Sequence, residues 1–162
     1  MSSVDDEEVK STGNPSFDEI LNKMENLIAE KVKVWNNTVN VLSNRLKNKE
    51  PKELIDLQAD VISHKQMIID ESVEYAVKLA KDVSKKKKLY KKHFELYKTE
   101  YNIKTNVGEL GRLIESELAL HERKLNIYES YIEFLKDTGK NLEQINYGIK
   151  NKIELINLFG ID

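Results

Sequence analysis

The chain has 162 residues, of which 40% are hydrophobic and 33% charged; it contains no cysteine and carries a net charge of −2. The absence of cysteine excludes a disulfide framework and a thiolate metal site. No run of 18 apolar residues occurs, which excludes a membrane-spanning helix, and the acidic start MSSVDDEEVK is the opposite of a secretory signal. We therefore expect a cytoplasmic protein of one domain or one extended helical unit.

Charge is distributed unevenly along the chain. Residues 1–30 contain eight acidic residues and two lysines, whereas residues 78–104 contain ten lysines and three acidic residues, a net charge of +7. This asymmetry predicts a surface that binds a polyanion, and an acidic segment that could compete for it.

The N-terminal third reads as a tail followed by a helix. Residues 1–14 are polar, acidic and without pattern, so we expect a disordered acidic tail. Ser16 precedes Glu19 by three residues, the spacing of a capping box, and predicts the start of an N-terminal helix within residues 15–50. The next helix is expected to begin at Pro51. The apolar line of the first helix is Phe17, Leu21, Met24, Ile28, Trp35, Leu42 and Leu46.

Residues 51–105 predict a long basic central helix. Its apolar and aromatic residues recur in alternating steps of four and three, interrupted by Gln66 and Lys87, which is typical of a coiled-coil seam. A helix of about 50 residues is about 75 Å long and must pack on partner helices. The predicted seam is Ile55, Ala59, Ile62, Gln66, Ile69, Val73, Ala76, Ala80, Val83, Lys87, Tyr90, Phe94, Tyr97 and Tyr101.

Residues 106–162 predict a C-terminal helical region for oligomerisation. Gly108 and Gly111 favour a turn or hinge, and Gly139 indicates either a kink or a close approach of another helix. The apolar line near the C-terminus is denser than a chain of this size is expected to cover, which favours self-association. A membrane-surface helix is the alternative, although its polar face is not dominated by basic residues. The predicted interface residues are Leu142, Ile145, Ile149, Ile153, Ile156 and Phe159.

With no strand pattern, the fold class is predicted to be all-α, built of long antiparallel or coiled-coil helices. Enzyme motifs are missing: His64, His93 and His121 lie nearly thirty residues apart without metal-ligand spacing, and no glycine-rich phosphate loop occurs. We therefore predict no enzyme activity, no cofactor and no metal, and expect the three histidines to be exposed.

The lysine run from Lys85 to Lys92 is the strongest signal for a site. Consecutive lysines on a helix point in nearly all directions and form a positive collar, suited to phosphate contacts more than to reading bases. The alternative is a solvated helix face. Tyr90, Phe94 and Tyr97 lie on the seam, which favours core packing over stacking on unpaired bases. The predicted nucleic-acid contacts are Lys81, Lys85, Lys86, Lys88, Lys91, Lys92, Lys98 and Tyr101.

Residues 75–160 resemble the phage recombination mediators of the UvsY family. The matching elements in the C-terminal part are Glu109-Leu110, Tyr128, Phe134, Gly148-Ile149-Lys150 and Phe159. Upstream, Lys98, Glu100 and Tyr101 fit an R-x-D-Y-Y-x-G-like element that ends the basic helix of the family, although Asn102 replaces the second tyrosine and the glycine is absent. Residues 1–70 have no counterpart in the resemblance.

The resemblance implies an all-helical homo-oligomer, a ring of about six to eight subunits held by the C-terminal helices. It also implies binding to single-stranded DNA, and help for a RecA-like recombinase in displacing single-strand-binding protein, in the cytoplasm of a phage-infected bacterial cell. Two other classes remain open from the residues themselves: a structural coiled-coil phage scaffold or assembly protein without DNA binding, and an inhibitor of a host target.

Overall fold

The computed structural model describes residues 15–47, 50–99 and 106–160. These residues form the helices α1 (Phe17–Arg45), α2 (Pro51–Thr99), α3 (Val107–Glu117) and α4 (Ala119–Phe159), and no strand. The all-α prediction is thus confirmed. The predicted acidic tail 1–14 lies outside the described residues, and so does Tyr101.

Local sequence signals account for three of the helix ends. At the start of α1, the amide of Glu19 donates to the Ser16 hydroxyl and the amide of Ser16 donates to the Glu19 carboxylate, so the predicted capping box is confirmed. Pro51 opens α2, as its fixed φ favours. At the other end of the fold, α4 stops at Gly160, whose φ of 56° suits a residue without a side chain.

The glycines near residue 110 do not form the predicted turn. Gly108 and Gly111 both lie inside α3. At Gly111, an added Cβ would come within 3.1 Å of the Tyr90 hydroxyl oxygen, so the missing side chain admits the tyrosine. This contact explains why α3 contains a glycine at position 111, although glycine destabilises a helix interior by about 1 kcal/mol relative to alanine.

Helices α1, α2 and α4 form an antiparallel three-helix bundle. Arg123 of α4 reaches the start of α1 at Asp18, and Lys152 of α4 donates to the Leu46 carbonyl at its end, so α1 and α4 run in parallel. α2 runs the opposite way, with Gln58 bonded to Asn146. Its C-terminal part extends past the start of α1 and packs against α3 and the first turns of α4.

The inward face of α2 is not the predicted seam. The buried residues of α2 are Leu54, Leu57, Val61, Ile68 and Tyr75, which lie on another side of the helix. The seam residues from Ile55 to Ala80 are exposed; Ile55 and Val73, for example, are each 58% exposed. The prediction failed because α2 carries two apolar lines. The inward line includes the polar residues His64 and Glu71, so its apolar pattern is less regular than that of the predicted seam.

Most of the predicted oligomerisation residues are covered within the single chain. Leu142, Ile145 and Ile149 belong to the core of the chain itself, and Ile153 and Ile156 are partly buried against that core. Phe159, at 68% exposure, is the one predicted interface residue that is open to solvent. The predicted interface residues from Leu142 to Ile156 are covered within the single chain, because the end of α1 and the start of α2 pack against them.

Candidate nucleic-acid interface

Seven exposed lysines lie on the C-terminal half of α2. We call this surface the lysine face. Among the described residues from Ala80 to Thr99, Glu95 is the only exposed acidic residue, so the local charge is strongly positive. The members of the lysine face are Lys81, Lys85, Lys87, Lys88, Lys91, Lys92 and Lys98.

The opposite side of the same segment packs on the protein. Tyr90, Phe94 and Tyr97, together with Leu89, pack against the buried residues Leu110, Ile114 and Leu118, which belong to α3 and its junction with α4. The lysine face therefore looks away from the bundle. It extends from Lys81 to Lys98, and at 1.5 Å per residue this is about 26 Å. The segment is a basic face and not the all-round collar that the sequence predicted.

Lys86 is the predicted contact that turns inward. Its ammonium lies 3.0 Å from a carboxylate oxygen of Glu115 and 2.6 Å from one of Glu122, and its side chain is 17% exposed. The hydrogen bond to Glu122 raises the pKa of Lys86, so the amine stays charged. Lys86 holds α2 against α3 and α4, and its charge is already balanced by two carboxylates.

Lys87 differs from its predicted position in the opposite direction. The sequence placed it in the seam, as a polar residue in a coiled-coil core, but it is exposed and lies on the lysine face. The lysine run itself is the sequence signal for this placement, although Lys87 also fits the spacing of the predicted seam. The lysine face includes Lys87 in place of Lys86, so it has seven lysines, the same number as among the predicted nucleic-acid contacts.

Most of the lysine face has no carboxylate partner among the described residues. In that part of the chain, Lys81, Lys87, Lys88, Lys91 and Lys92 form no salt bridge, unlike Lys78 and Lys124 nearby. Each ammonium offers three hydrogen-bond donors to water or to an anion. The arrangement suits a row of phosphates, and because lysine lacks a planar fork, it does not suit bidentate reading of bases.

The positive field of this region reaches the neighbouring His121. Its ring lies against Phe17 with 4.9 Å between ring centroids. Burial is the main cause that lowers the pKa of His121, and the charge of Lys85 lowers the pKa further. The imidazole is therefore held in its neutral form beside the start of the lysine face.

The aromatic residues of α2 serve packing in the described part of the chain. Tyr90, Phe94 and Tyr97 face α3, as the seam favoured, and Tyr97 donates its hydroxyl to Glu117. The ammonium of Lys98 lies 5.1 Å from the ring centre of Phe94. Tyr101, the aromatic predicted to be the best candidate for base stacking, lies outside the described residues.

The histidines are half-buried and not exposed as predicted. The Nδ1 atom of His64 lies 2.7 Å from the Asp60 carbonyl oxygen, and that of His93 lies 2.9 Å from a Glu117 oxygen. The described residues contain no group of three histidine, cysteine, aspartate or glutamate side chains placed to hold a metal ion. None of the described helices combines the length and apolar character needed to cross a membrane.

Comparisons with known proteins give no relative for this chain. No protein-family model, no curated protein and no solved structure matches it.

Proposed function

We propose that this protein binds the sugar-phosphate backbone of single-stranded DNA through the lysine face of α2. The observation that carries the proposal is the row of seven exposed lysines with a single exposed acidic residue among them. None of the seven forms a salt bridge with a carboxylate in the described part of the chain, so their charge is available to an external anion.

The contacts expected from this face are independent of base sequence. Lysines bind phosphates as point charges, and phosphate contacts fix position without carrying sequence information. The aromatic side chains beside the lysine face, Tyr90, Phe94 and Tyr97, pack against α3, which leaves the phosphates as the main target there. A single subunit would bind weakly, and several linked copies would bind tightly through their effective concentration.

The biological role that we propose is that of a recombination mediator. It rests on the resemblance of residues 75–160 to the UvsY family. In that role, a homo-oligomer holds single-stranded DNA and helps a RecA-like recombinase to replace single-strand-binding protein. The lysine face would provide the DNA contacts, and the oligomer would multiply them.

Charge reversal on the lysine face tests the proposal. In Lys88→Glu/Lys92→Glu, two exposed lysines without described partners become acidic. We expect the affinity for a labelled single-stranded oligonucleotide, measured by fluorescence anisotropy at low salt, to fall by at least about tenfold, because two phosphate contacts become repulsive.

The matched control is Lys23→Glu/Lys136→Glu, which changes the net charge equally at exposed positions of α1 and α4. It should retain most of the affinity. Equal losses in both variants would mean that overall charge, and not the lysine face, governs binding, and would contradict the proposal.

A second candidate function is a structural coiled-coil protein without DNA binding, such as a scaffold or assembly protein. It is favoured by the exposed apolar residues that repeat along the first half of α2, from Ile55 to Ala80. This candidate predicts self-assembly and no measurable affinity for the oligonucleotide at low salt.

A further inference from the structure

The first part of α2 carries an apolar face that is exposed to solvent. We define the outer seam as the exposed first part of the predicted seam. All eight of its positions are open to solvent in the single chain, and seven of the eight are apolar residues at the alternating four- and three-residue steps of a heptad repeat. The outer seam consists of Ile55, Ala59, Ile62, Gln66, Ile69, Val73, Ala76 and Ala80.

The same seam is covered farther along α2. Tyr90 and Tyr97 continue the seven-residue spacing that starts at Ile55, and these two tyrosines, with Phe94, pack against α3. One end of the seam is therefore already a helix–helix interface within the chain. Because α3 has 11 residues, it covers only that end, and the outer seam is its uncovered continuation.

The charge, side-chain size and length of the outer seam favour a helix as its partner over nucleic acid or an anionic membrane. Its edges carry the exposed acidic residues Asp56, Asp70 and Glu74, which would repel nucleic acid and an anionic membrane. Three of its eight positions are alanine, which allows the close approach of another helix. Its length from Ile55 to Ala80 is about 38 Å, which needs a long, straight partner. α2 itself has this length and this repeat.

We propose that two copies of the chain pair through their outer seams in an antiparallel orientation. The register that matches the whole seam sets Ile55 of one copy against Ala80 of the other, and Ile62 of one against Val73 of the other. In this pairing every seam position faces a seam position. Gln66 can be covered at low cost, because its amide nitrogen already donates to Asp70 at 2.8 Å, along the edge of the seam.

The charge of the lysine face favours an antiparallel over a parallel orientation of the two α2 helices. It begins at Lys81, directly after the outer seam. A parallel pair would place the seven exposed lysines of one copy beside the seven of the other, which is electrostatically unfavourable. An antiparallel pair places the two lysine faces at opposite ends. It also brings the first lysines of one copy toward Glu53, the acidic residue in the first turn of α2, of the other.

The expected interface is of modest size. A strip about 38 Å long and about 10 Å wide covers on the order of 400 Å² of each copy, before flanking side chains are counted. This lies below the standard size of a stable interface, so we expect a concentration-dependent dimer. The inference rests on the self-association in the proposed function and assigns a surface to it. It differs from the predicted C-terminal residues, of which three lie in the core of the chain and two are partly buried against that core.

Sedimentation equilibrium of the full chain without DNA tests the surface. The wild-type protein should show a monomer–dimer equilibrium, and Ile62→Asp/Ile69→Asp should weaken association by at least about a hundredfold, because four unpaired charges, two from each copy, would be buried in the pair. Both residues are about half exposed, so the variant should keep the helical content of the wild type.

The control, Leu27→Asp/Val34→Asp, removes equally exposed apolar residues from α1 and should dimerise like the wild type. A wild-type chain that stays monomeric, or an association lost in the control and kept in the seam variant, would overturn the inference. Since no DNA is present, neither result depends on DNA binding; conversely, a dimer that fails to bind DNA would contradict the proposed function alone.

Cysteine cross-linking tests the orientation, because the natural chain has no cysteine. In an antiparallel pair, Ile62→Cys and Val73→Cys chains should form a mixed disulfide when they are combined, and each should cross-link poorly with itself. Efficient self-cross-linking of Ile62→Cys would indicate a parallel pair and would overturn the antiparallel arrangement.

Discussion

Glu71 joins the three long helices at a single carboxylate. Its Oε1 atom accepts from the Lys31 ammonium and from the Tyr131 hydroxyl, each at 2.7 Å, and its Oε2 atom accepts from the Trp35 ring nitrogen at 3.1 Å. Lys31 and Trp35 lie on α1 and Tyr131 on α4. Because the three donors come from both neighbouring helices, the network fixes the rotation of all three helices.

We predict that Glu71→Ala destabilises the fold by about 2–4 kcal/mol, because it leaves a partly buried ammonium and two buried donors without their acceptor. Urea unfolding followed by circular dichroism measures the loss. Tyr131→Phe removes only one of the three donors and should cost less. An Ala variant as stable as the wild type would show that the network adds nothing to stability.

The same carboxylate makes stability depend on pH. Burial acts to raise the pKa of Glu71, but the hydrogen bonds from Lys31, Tyr131 and Trp35 outweigh it and lower the pKa below its ordinary value of 4.5. Its contribution is therefore present above pH 4.5 and is lost as the pH falls through the lowered value. We predict that the stability difference between wild type and Glu71→Gln, measured by urea unfolding, shrinks on acidification; a difference that grows would contradict the assignment.

At the scale of elements, the helices were predictable and their inward faces were not. Ser16, Pro51 and the apolar repeats mark the helices because capping and periodicity are local properties. Which side of α2 faces inward depends on partners far away in sequence. His64 and Glu71 interrupt the inward line, and only the contact of His64 with Trp35 of α1 and the hydrogen bonds of Glu71 with α1 and α4 show that they belong there.

The C-terminal line provides a test at this scale. Ile149 is fully buried in the core of the chain, whereas Phe159 is exposed. We predict that Ile149→Ala lowers the free energy of unfolding by about 2–5 kcal/mol, the usual cost of truncating a buried aliphatic side chain. Phe159→Ala should stay within about 0.5 kcal/mol of the wild type. If Ile149→Ala changed the oligomeric state and left chemical stability unchanged, the core placement would be wrong.

At the scale of the whole molecule, α2 presents two surfaces one after the other. The outer seam ends at Ala80 and the lysine face starts at Lys81. The lysine run was evident from sequence because charge needs no partner to be recognised. The exchange of Lys86 for Lys87 was not evident, since it depends on Glu115 and Glu122, which approach from α3 and α4.

If α2 pairs and binds DNA as we propose, this succession of surfaces would let assembly strengthen DNA binding. An antiparallel pair would carry a lysine face at each end, so one pair could hold two segments of a strand. The sequence alone placed self-association at the C-terminus because it could not show that α1 and α2 cover that line.

The most direct measurement of the central claim is the salt dependence of single-stranded DNA binding. If the lysine face neutralises between four and seven phosphates, the logarithm of the binding constant should fall against the logarithm of salt concentration with a slope of about −3 to −5, and Lys88→Glu/Lys92→Glu should make that slope shallower by about 1 or more. A slope near zero, or an equal slope in wild type and variant, would contradict the account.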